Sequence, residues 1–254
     1  MFRILYSDLR KILKSAALKI GFAAIAGYLF ANVLVLKIVG AYMHIGIYSD
    51  DFITCFPEIA IFLITASTLL ITVGDFSDGC MRNKIISGTS RTDIAMSALI
   101  GGMFQGFLYS LVGCLVTVLL GVIFGEGLNS YTVSEYADFW IINTMTCMAI
   151  GAFSTILILI LGGKKISYVI GLAFAFVMKV FTMEVLDKLY PESGPCALRG
   201  FKFLLYSFFE KYVPYLYQSI RPHYSYLTYF IGCGGLILIS VVLGIIVFNK
   251  KEIQ

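Results

Sequence analysis

Long apolar runs separated by short polar segments divide the chain into six predicted membrane spans. Each run has about the 20 residues that a helix needs to cross a hydrocarbon core roughly 30 Å thick. The runs do not alternate between apolar and polar residues, as the strands of a membrane barrel do, so the pattern predicts helices. The predicted spans cover approximately residues 18–36, 57–74, 94–124, 139–161, 166–183 and 224–248.

The stretch before the first span, residues 2–16, is predicted to be an amphipathic helix. Apolar side chains such as Leu5 and Leu9 recur on one helical face, and basic side chains such as Arg10 and Lys14 recur on the opposite face. A helix of this kind lies in the membrane interface, with its cationic face toward anionic headgroups. The n-region of a signal peptide is the alternative, but the apolar run that follows is longer than the about 7–15 residues of such a signal.

A second amphipathic stretch interrupts the longest predicted loop, residues 185–223. Its apolar face includes Phe201, Leu205 and Phe208, while its charged residues lie mostly on the opposite face. The stretch is too short and too charged to span a bilayer. We therefore expect it to lie in the outer interface or to dip into the membrane as a re-entrant helix.

Composition favours a membrane protein over a soluble one. Of the 254 residues, 59% are hydrophobic and 13% are charged, whereas soluble domains carry about 25% charged residues. So little charge cannot cover a solvated surface, so most of the surface must face lipid. The predicted fold is an all-α integral membrane protein with six transmembrane helices and an N-terminal interfacial amphipathic helix, in which residues 1–254 form one transmembrane domain.

The distribution of charge predicts the orientation of the chain in the membrane. If the N-terminus is cytoplasmic, most of the 19 lysine and arginine residues lie on the cytoplasmic side, and most of the 15 acidic residues lie on the other side. Cytoplasmic loops carry the excess of lysine and arginine in membrane proteins. Both termini and the loop at residues 75–93 are therefore predicted to be cytoplasmic.

The sequence shows no pattern typical of a catalytic or metal site. The two histidines are isolated, the six cysteines form no CxxC pair, and no GxxxxGK[ST] nucleotide loop occurs. No charged residue lies near the middle of a predicted span, where ion-coupled transporters usually carry one. We therefore expect a protein that is not an enzyme, holds no metal or cofactor and binds no nucleic acid. A disulfide between Cys55 and Cys196, which fall on the same predicted side, stays open.

Neutral polar residues within the predicted spans have two interpretations. They hydrogen-bond neighbouring helices to one another, or they line a path for a substrate. The residues assigned to a substrate path are Asn32, Thr65, Thr68, Gln105 and Asn143. The third span also carries small residues at intervals of four, which predict a close approach to another helix. These small residues are Gly102, Gly106, Ser110 and Cys114.

The most unusual polar segment is residues 75–93, DFSDGCMRNKIISGTSRTD, between the second and third predicted spans. It is longer and more charged than a turn requires, as the short basic turn at residues 162–165 shows. A transport protein without a nucleotide site must receive energy from another chain, so this segment is predicted to dock a soluble partner. Its charged side chains offer the complementarity that selects such a partner.

At this segment the chain resembles the type-2 ABC exporter permeases. The acidic-x3-Gly pattern of Asp75 and Gly79, the Arg-Asn-Lys core followed by two isoleucines, and the ending Ser90–Arg91 match the loop between the second and third spans of that family. The interfacial helix, the six spans, the long outer segment and the Phe-x-Lys-Lys-Glu-Ile end extend the resemblance over the whole chain. The first acid is aspartate where many members of the family have glutamate.

The resemblance implies a cytoplasmic coupling helix at Arg82–Ile86 that docks in a cleft of a separate ABC ATPase subunit, which holds ATP and Mg. Besides membrane lipids, it implies a second permease subunit, as a homodimer or paralogous heterodimer, in a bacterial plasma membrane. The residues it assigns to ATPase docking are Asp75, Asp78, Gly79, Arg82, Asn83, Lys84, Ile85, Ser90 and Arg91. The Arg-Asn-Lys form is most similar to permeases that export, or confer immunity to, bacterial peptides such as phenol-soluble modulins or lantibiotics.

Several functions stay open at this point. The first is the permease subunit of an ATP-driven exporter of an amphipathic or hydrophobic substrate, above all a peptide, toxin or antimicrobial peptide. The second is a non-transporting membrane immunity or sensor protein that sequesters a peptide in the outer leaflet. An ABC exporter of lipid or drug is a variant of the first. A membrane-embedded enzyme is disfavoured because no acid, base or metal cluster lies in a predicted span.

Overall fold

Every regular element in the described part of the chain is helical. The computed structural model describes residues 2–191, 196, 198–219 and 222–250. Four residues that enter the predicted charge distribution, Glu192, Arg221, Lys251 and Glu252, lie outside the described residues. The helices are α1 (Phe2–Lys14), α2 (Ala16–Met43), α3 (Cys55–Ser77), α4 (Cys80–Ile86), α5 (Arg91–Phe124), α6 (Val133–Leu161), α7 (Ile166–Leu189), α8 (Phe201–Tyr212), α9 (Pro214–Tyr217) and α10 (Tyr226–Lys250), with a 3-10 turn at Ser49–Phe52 before α3.

Six of these helices are long and apolar enough to cross a membrane, as predicted: α2, α3 with its preceding turn, α5, α6, α7 and α10. They indicate a multi-pass membrane protein. Several helices run past the predicted span ends: α2 continues from residue 36 to Met43, and α7 continues from residue 183 to Leu189. Hydropathy marks only the apolar part of a helix, whereas the hydrogen-bonded backbone continues through polar residues at its ends.

Two of the long helices, α3 and α6, form the centre of the bundle. In their most apolar stretches 56% and 61% of the residues are buried, against 17% in α2. The core around them contains Phe56, Ile64 and Ile150, all fully buried. Since α2, α7 and α10 bury much less of their surface, these peripheral helices carry most of the lipid-facing side chains.

The close approach predicted for the small residues of the third span occurs between α5 and α6. A Cβ on Gly102 would lie 2.5 Å from the carbonyl oxygen of Gly151, and one on Gly106 would lie 2.1 Å from that of Cys147. One turn later the hydroxyls of Ser110 and Thr144 lie 2.7 Å apart. The missing side chains therefore let the two backbones touch, and a hydrogen bond extends the contact.

The described part of the segment between α7 and α10 contains two short helices. The α8 helix exposes Phe201 and Leu204, which are 76% and 66% exposed, whereas all four residues of α9 are buried. The structure also answers the question of the disulfide. All six cysteines lie in the described part of the chain and all are free, so Cys55 and Cys196 are not paired.

Candidate functional site

The predicted docking segment folds as a short helix between two spans. Gly79 precedes α4 with a φ of 69°, and Gly88 follows it with a φ of 85°, a backbone conformation that glycine adopts without strain. The hydroxyl of Ser90 then accepts from the backbone N–H of Asp93 at 3.1 Å and caps α5. The predicted coupling helix at Arg82–Ile86 thus occupies most of α4.

The α4 helix has an inner and an outer face. Met81 is 1% exposed and belongs to a small core with Ile94 on α5, while Ile85, one turn after Met81, packs against the same core. Arg82 and Asn83 are exposed on the other face, as are Asp78 before the helix and Ile86 at its end, the latter 72% exposed. This outer face combines a cation, an amide and an apolar side chain, which suits contact with another protein.

Lys84 on α4 is engaged within the chain. Its Nζ lies 2.7 Å and 2.8 Å from the two carboxylate oxygens of Asp8 on α1. The Ser97 hydroxyl on α5 donates to the same carboxylate at 2.6 Å. Asp8 therefore ties three helices together. Asp8 was not among the predicted site residues, although an acid three positions before Lys11 on a basic helix is a signal visible in the sequence.

A second ion pair joins α1 to the predicted docking segment. Lys11 pairs with Asp75 in the last turn of α3. Partial burial acts to lower the pKa of Lys11, but the hydrogen bond and the charge of Asp75 outweigh it and raise the pKa above its ordinary value. The guanidinium of Arg91 donates to the carbonyl oxygen of Asn249 on α10 at 3.3 Å. Asp75 and Arg91 thus fasten the two ends of the segment to helices on either side.

A polar cavity lies where α1, α3 and α5 meet. Its volume is about 20 Å³, which is room for about one water molecule. The polar residues lining it include Asp8, Thr72, Ser97 and Gln105. Among the described residues, no group of three or more histidine, cysteine, aspartate or glutamate side chains could hold a metal ion. The arrangement can therefore fix helices by charge and hydrogen bonds.

Three of the residues predicted for a substrate path lie at contacts of α3 with its neighbours. The hydroxyl of Thr65 lies 3.2 Å from that of Ser154 on α6. The amide oxygen of Gln105 accepts from Ser67 on α3 at 3.2 Å. Thr68 is fully buried, and its hydroxyl has no hydrogen-bond partner among the described residues. Thr65 and Gln105 thus join helices to one another.

The other two predicted path residues lie elsewhere in the bundle. Asn32 donates to the carbonyl oxygen of Tyr28 in its own helix at 2.8 Å. Asn143 on α6 is 2% exposed and accepts from the amide of Gln218, just after α9, at 3.2 Å. Thr65, Gln105 and Asn143 therefore lie at separate contacts between elements, whereas the hydrogen bond of Asn32 stays within its own helix.

A buried charge within a span was also missed. Lys179 is 7% exposed and lies ten residues before the end of α7, and its Nζ is 2.7 Å from a carboxylate oxygen of Glu58 on α3. Glu58 lies in the first turn of α3 and is 46% exposed, so Lys179 is level with the end of that helix. The expectation that no charged residue lies near the middle of a span therefore stays a prediction. Pairing with Glu58 compensates the cost of placing a cation at that depth.

Comparison with known proteins assigns no family: no protein-family model matches the chain, and no curated protein matches it significantly. Its function is therefore inferred from the contacts around α4, from the exposed surfaces of the bundle, and from the resemblance of residues 75–93 to one family of permeases.

Proposed function

We propose that the chain is the membrane-spanning permease subunit of an ATP-driven ABC exporter in a bacterial plasma membrane. It moves an amphipathic or hydrophobic substrate, above all a peptide, out of the cell, and a separate ATPase subunit holds ATP and Mg. The observation that carries the proposal is α4, a short helix anchored between two spans that presents Arg82, Asn83 and Ile86 outward. A charged and apolar surface of this kind can both select and hold a partner.

The contacts of α4 suggest how movement of the ATPase reaches the membrane. Met81 is buried against α5, and Lys84 is paired with Asp8 on α1. Closely packed side chains transmit displacement because they have no free space to absorb it. A shift of α4 is therefore passed to α3 and α5, which flank it in the chain, and through Asp8 to α1.

The proposal includes an arrangement in the membrane. The N-terminus, the C-terminus and α4 lie on the cytoplasmic side, and α8 lies on the outer side, where it helps to close the exit. Phe2, Tyr6 and Leu13 are exposed on α1 and rest in the cytoplasmic interface. In this arrangement a second permease subunit, identical or paralogous, completes the path.

The direct test is recovery of the partner. The full chain, purified from its native cells in mild detergent, is expected to bring down a soluble P-loop ATPase and to lose it on addition of ATP. Arg82→Glu should weaken this association by roughly tenfold or more, because a buried interface arginine is often worth 2 kcal/mol or more. Lys164→Glu makes the same charge change at an exposed lysine in another turn and should leave the association unchanged. Equal effects of the two substitutions, or the absence of any ATPase, would contradict the proposal.

A second function is favoured by the outer surface. The exposed Phe201, Leu204 and Phe208 of α8 form an apolar face on which an amphipathic peptide could be sequestered without transport, as in an immunity or sensor protein. Cells that lack the partner ATPase distinguish the two functions. Protection against the peptide that persists in such cells supports sequestration, and protection that disappears supports export.

A further inference from the structure

A large apolar cavity lies between α6, α7 and α10, beneath the connection from α8 to α9. Its volume is about 560 Å³. Phe153 and Phe174 contribute walls from α6 and α7, Gly235 and Ile239 from α10, and Phe208 from α8. The described residues that line it include no charged side chain.

The cavity extends to the depth of the hydrocarbon core. Gly235 and Ile239 are nine and thirteen residues after Tyr226, the first residue of α10. At 1.5 Å per residue they lie roughly 14 Å and 20 Å along the helix, which is near the middle of a core about 30 Å thick. The cavity therefore runs from the outer helices to the centre of the membrane.

An apolar space of this size needs an apolar occupant. The space is an open groove, since Ile231 and Ile239, which line it, are 61% and 51% exposed, and water is a poor occupant of so apolar a surface. A helical peptide is about 10–12 Å across, so such a volume would hold only about one turn of it. A single flexible hydrocarbon chain fits better, and acyl chains are the apolar material present at this depth.

We propose that this cavity binds one acyl chain of a bilayer phospholipid beneath α8 and α9. Gly235 provides the space, because a Cβ there would meet no described atom within 4 Å. Gly232, one turn earlier, also lines the cavity, but a Cβ there would lie 2.0 Å from the hydroxyl of Tyr217. Contact with Phe208 of α8 and Tyr215 of α9 distinguishes this chain from the lipids around the rest of the bundle. The site does not depend on the proposed transport function.

The test uses the full chain in vesicles of phosphatidylethanolamine and phosphatidylglycerol, with a small fraction of phosphatidylglycerol that carries a photoreactive diazirine on one acyl chain. After illumination, peptide mapping is expected to find label at Phe174 and Met178, in excess of label at Val35 and Ile38, which are 58% and 70% exposed on α2. Gly235→Leu fills the cavity and should reduce the label at Phe174 and Met178 by about tenfold, which corresponds to about 1.4 kcal/mol.

The matched control is Gly234→Leu, because Gly234 is the exposed neighbour on the same helix and a Cβ there also meets no described atom within 4 Å. This substitution should leave the label unchanged. Ile239→Trp provides a second way to narrow the cavity if Gly235→Leu does not fold. The assignment is overturned if label in the cavity does not exceed that on α2, if the Gly234 and Gly235 substitutions act equally, or if a photoreactive amphipathic peptide displaces the lipid label.

Discussion

Asp8 and Lys84 form an ion pair with a separation of 2.7 Å between two helices that are far apart in sequence. Their side chains are 13% and 20% exposed, so the pair is largely shielded from water. Because Lys84 belongs to α4 and Asp8 to α1, the N-terminal helix is part of the same unit as the proposed docking helix. Movement of one is expected to move the other.

The strength of this connection can be measured by a double-mutant cycle. Asp8→Ala removes the acceptor of both Lys84 and Ser97, and should lower the free energy of unfolding by about 1–3 kcal/mol. Lys84→Ala should cost less when Asp8 is already absent, with a coupling energy of about 1 kcal/mol. Thermal unfolding in detergent provides the measurement. Asp78→Ala, at an exposed position, is the control, and strictly additive effects of Asp8 and Lys84 would disprove the coupling.

Alanine substitutions at two glycines are expected to change stability in opposite directions, because only one of the two lies at the contact between α5 and α6. Gly106→Ala places a methyl group 2.1 Å from the Cys147 carbonyl oxygen and should lower stability by about 1–3 kcal/mol through overpacking. Gly234→Ala meets no described atom and should raise stability by up to about 1 kcal/mol, because alanine favours helix. The measurement is the temperature at which the solubilised protein loses its monodisperse size-exclusion peak. A shift of this temperature in the same direction for both variants would contradict the prediction.

The segment between α7 and α10 contains a buried carboxylate whose contacts have a measurable pH dependence. Glu210 is 3% exposed and accepts from the hydroxyls of Tyr190 at 2.6 Å and Tyr224 at 3.0 Å, and His223 lies 3.2 Å away. Desolvation, followed by the hydrogen bond to and charge of Glu210, raises the pKa of Tyr190 to about 12. A raised tyrosine pKa stabilises the fold below the ordinary pKa near 10, and this contribution is lost as the pH rises toward 12.

Glu210→Gln should therefore lower the pKa of Tyr190 toward its ordinary value. The ultraviolet difference spectrum of tyrosinate, recorded with and without Tyr190→Phe, isolates this one phenol. An unchanged titration in Glu210→Gln would mean that the carboxylate does not control Tyr190.

The same substitution should also reduce the protection of α8 from limited proteolysis, since three side chains lose their charged partner.

The proposed orientation can be tested with single cysteines in a chain from which the six native cysteines have been removed. The two substitutions are Ser87→Cys and Ser130→Cys. Ser87 follows α4, Ser130 is in the loop between α5 and α6, and both side chains are exposed. A membrane-impermeant maleimide added to intact cells should label the cysteine at position 130 and not the one at position 87. Permeabilised cells should label both. The reverse pattern would place both termini outside.

The helical class and the number of spans follow from local properties of the chain. A run of about 20 apolar residues in lipid has to form a helix, because the helix satisfies its own backbone hydrogen bonds. The positions where α4 begins and ends also follow from local sequence. Gly79 and Gly88 allow positive φ, and Ser90 caps the next helix, so a short helix could be placed between the second and third spans without knowledge of packing.

Contacts between distant helices could not be predicted in this way. The pairing of Lys84 with Asp8, the pairing of Lys179 with Glu58 and the apolar cavity beside Gly235 depend on how each helix is rotated and tilted against its neighbours. Hydropathy does not contain that information, because lipid-facing and buried surfaces of a membrane helix are both apolar. Local sequence therefore sets which segments become helices, whereas packing sets which polar side chains meet and where a space is left between them.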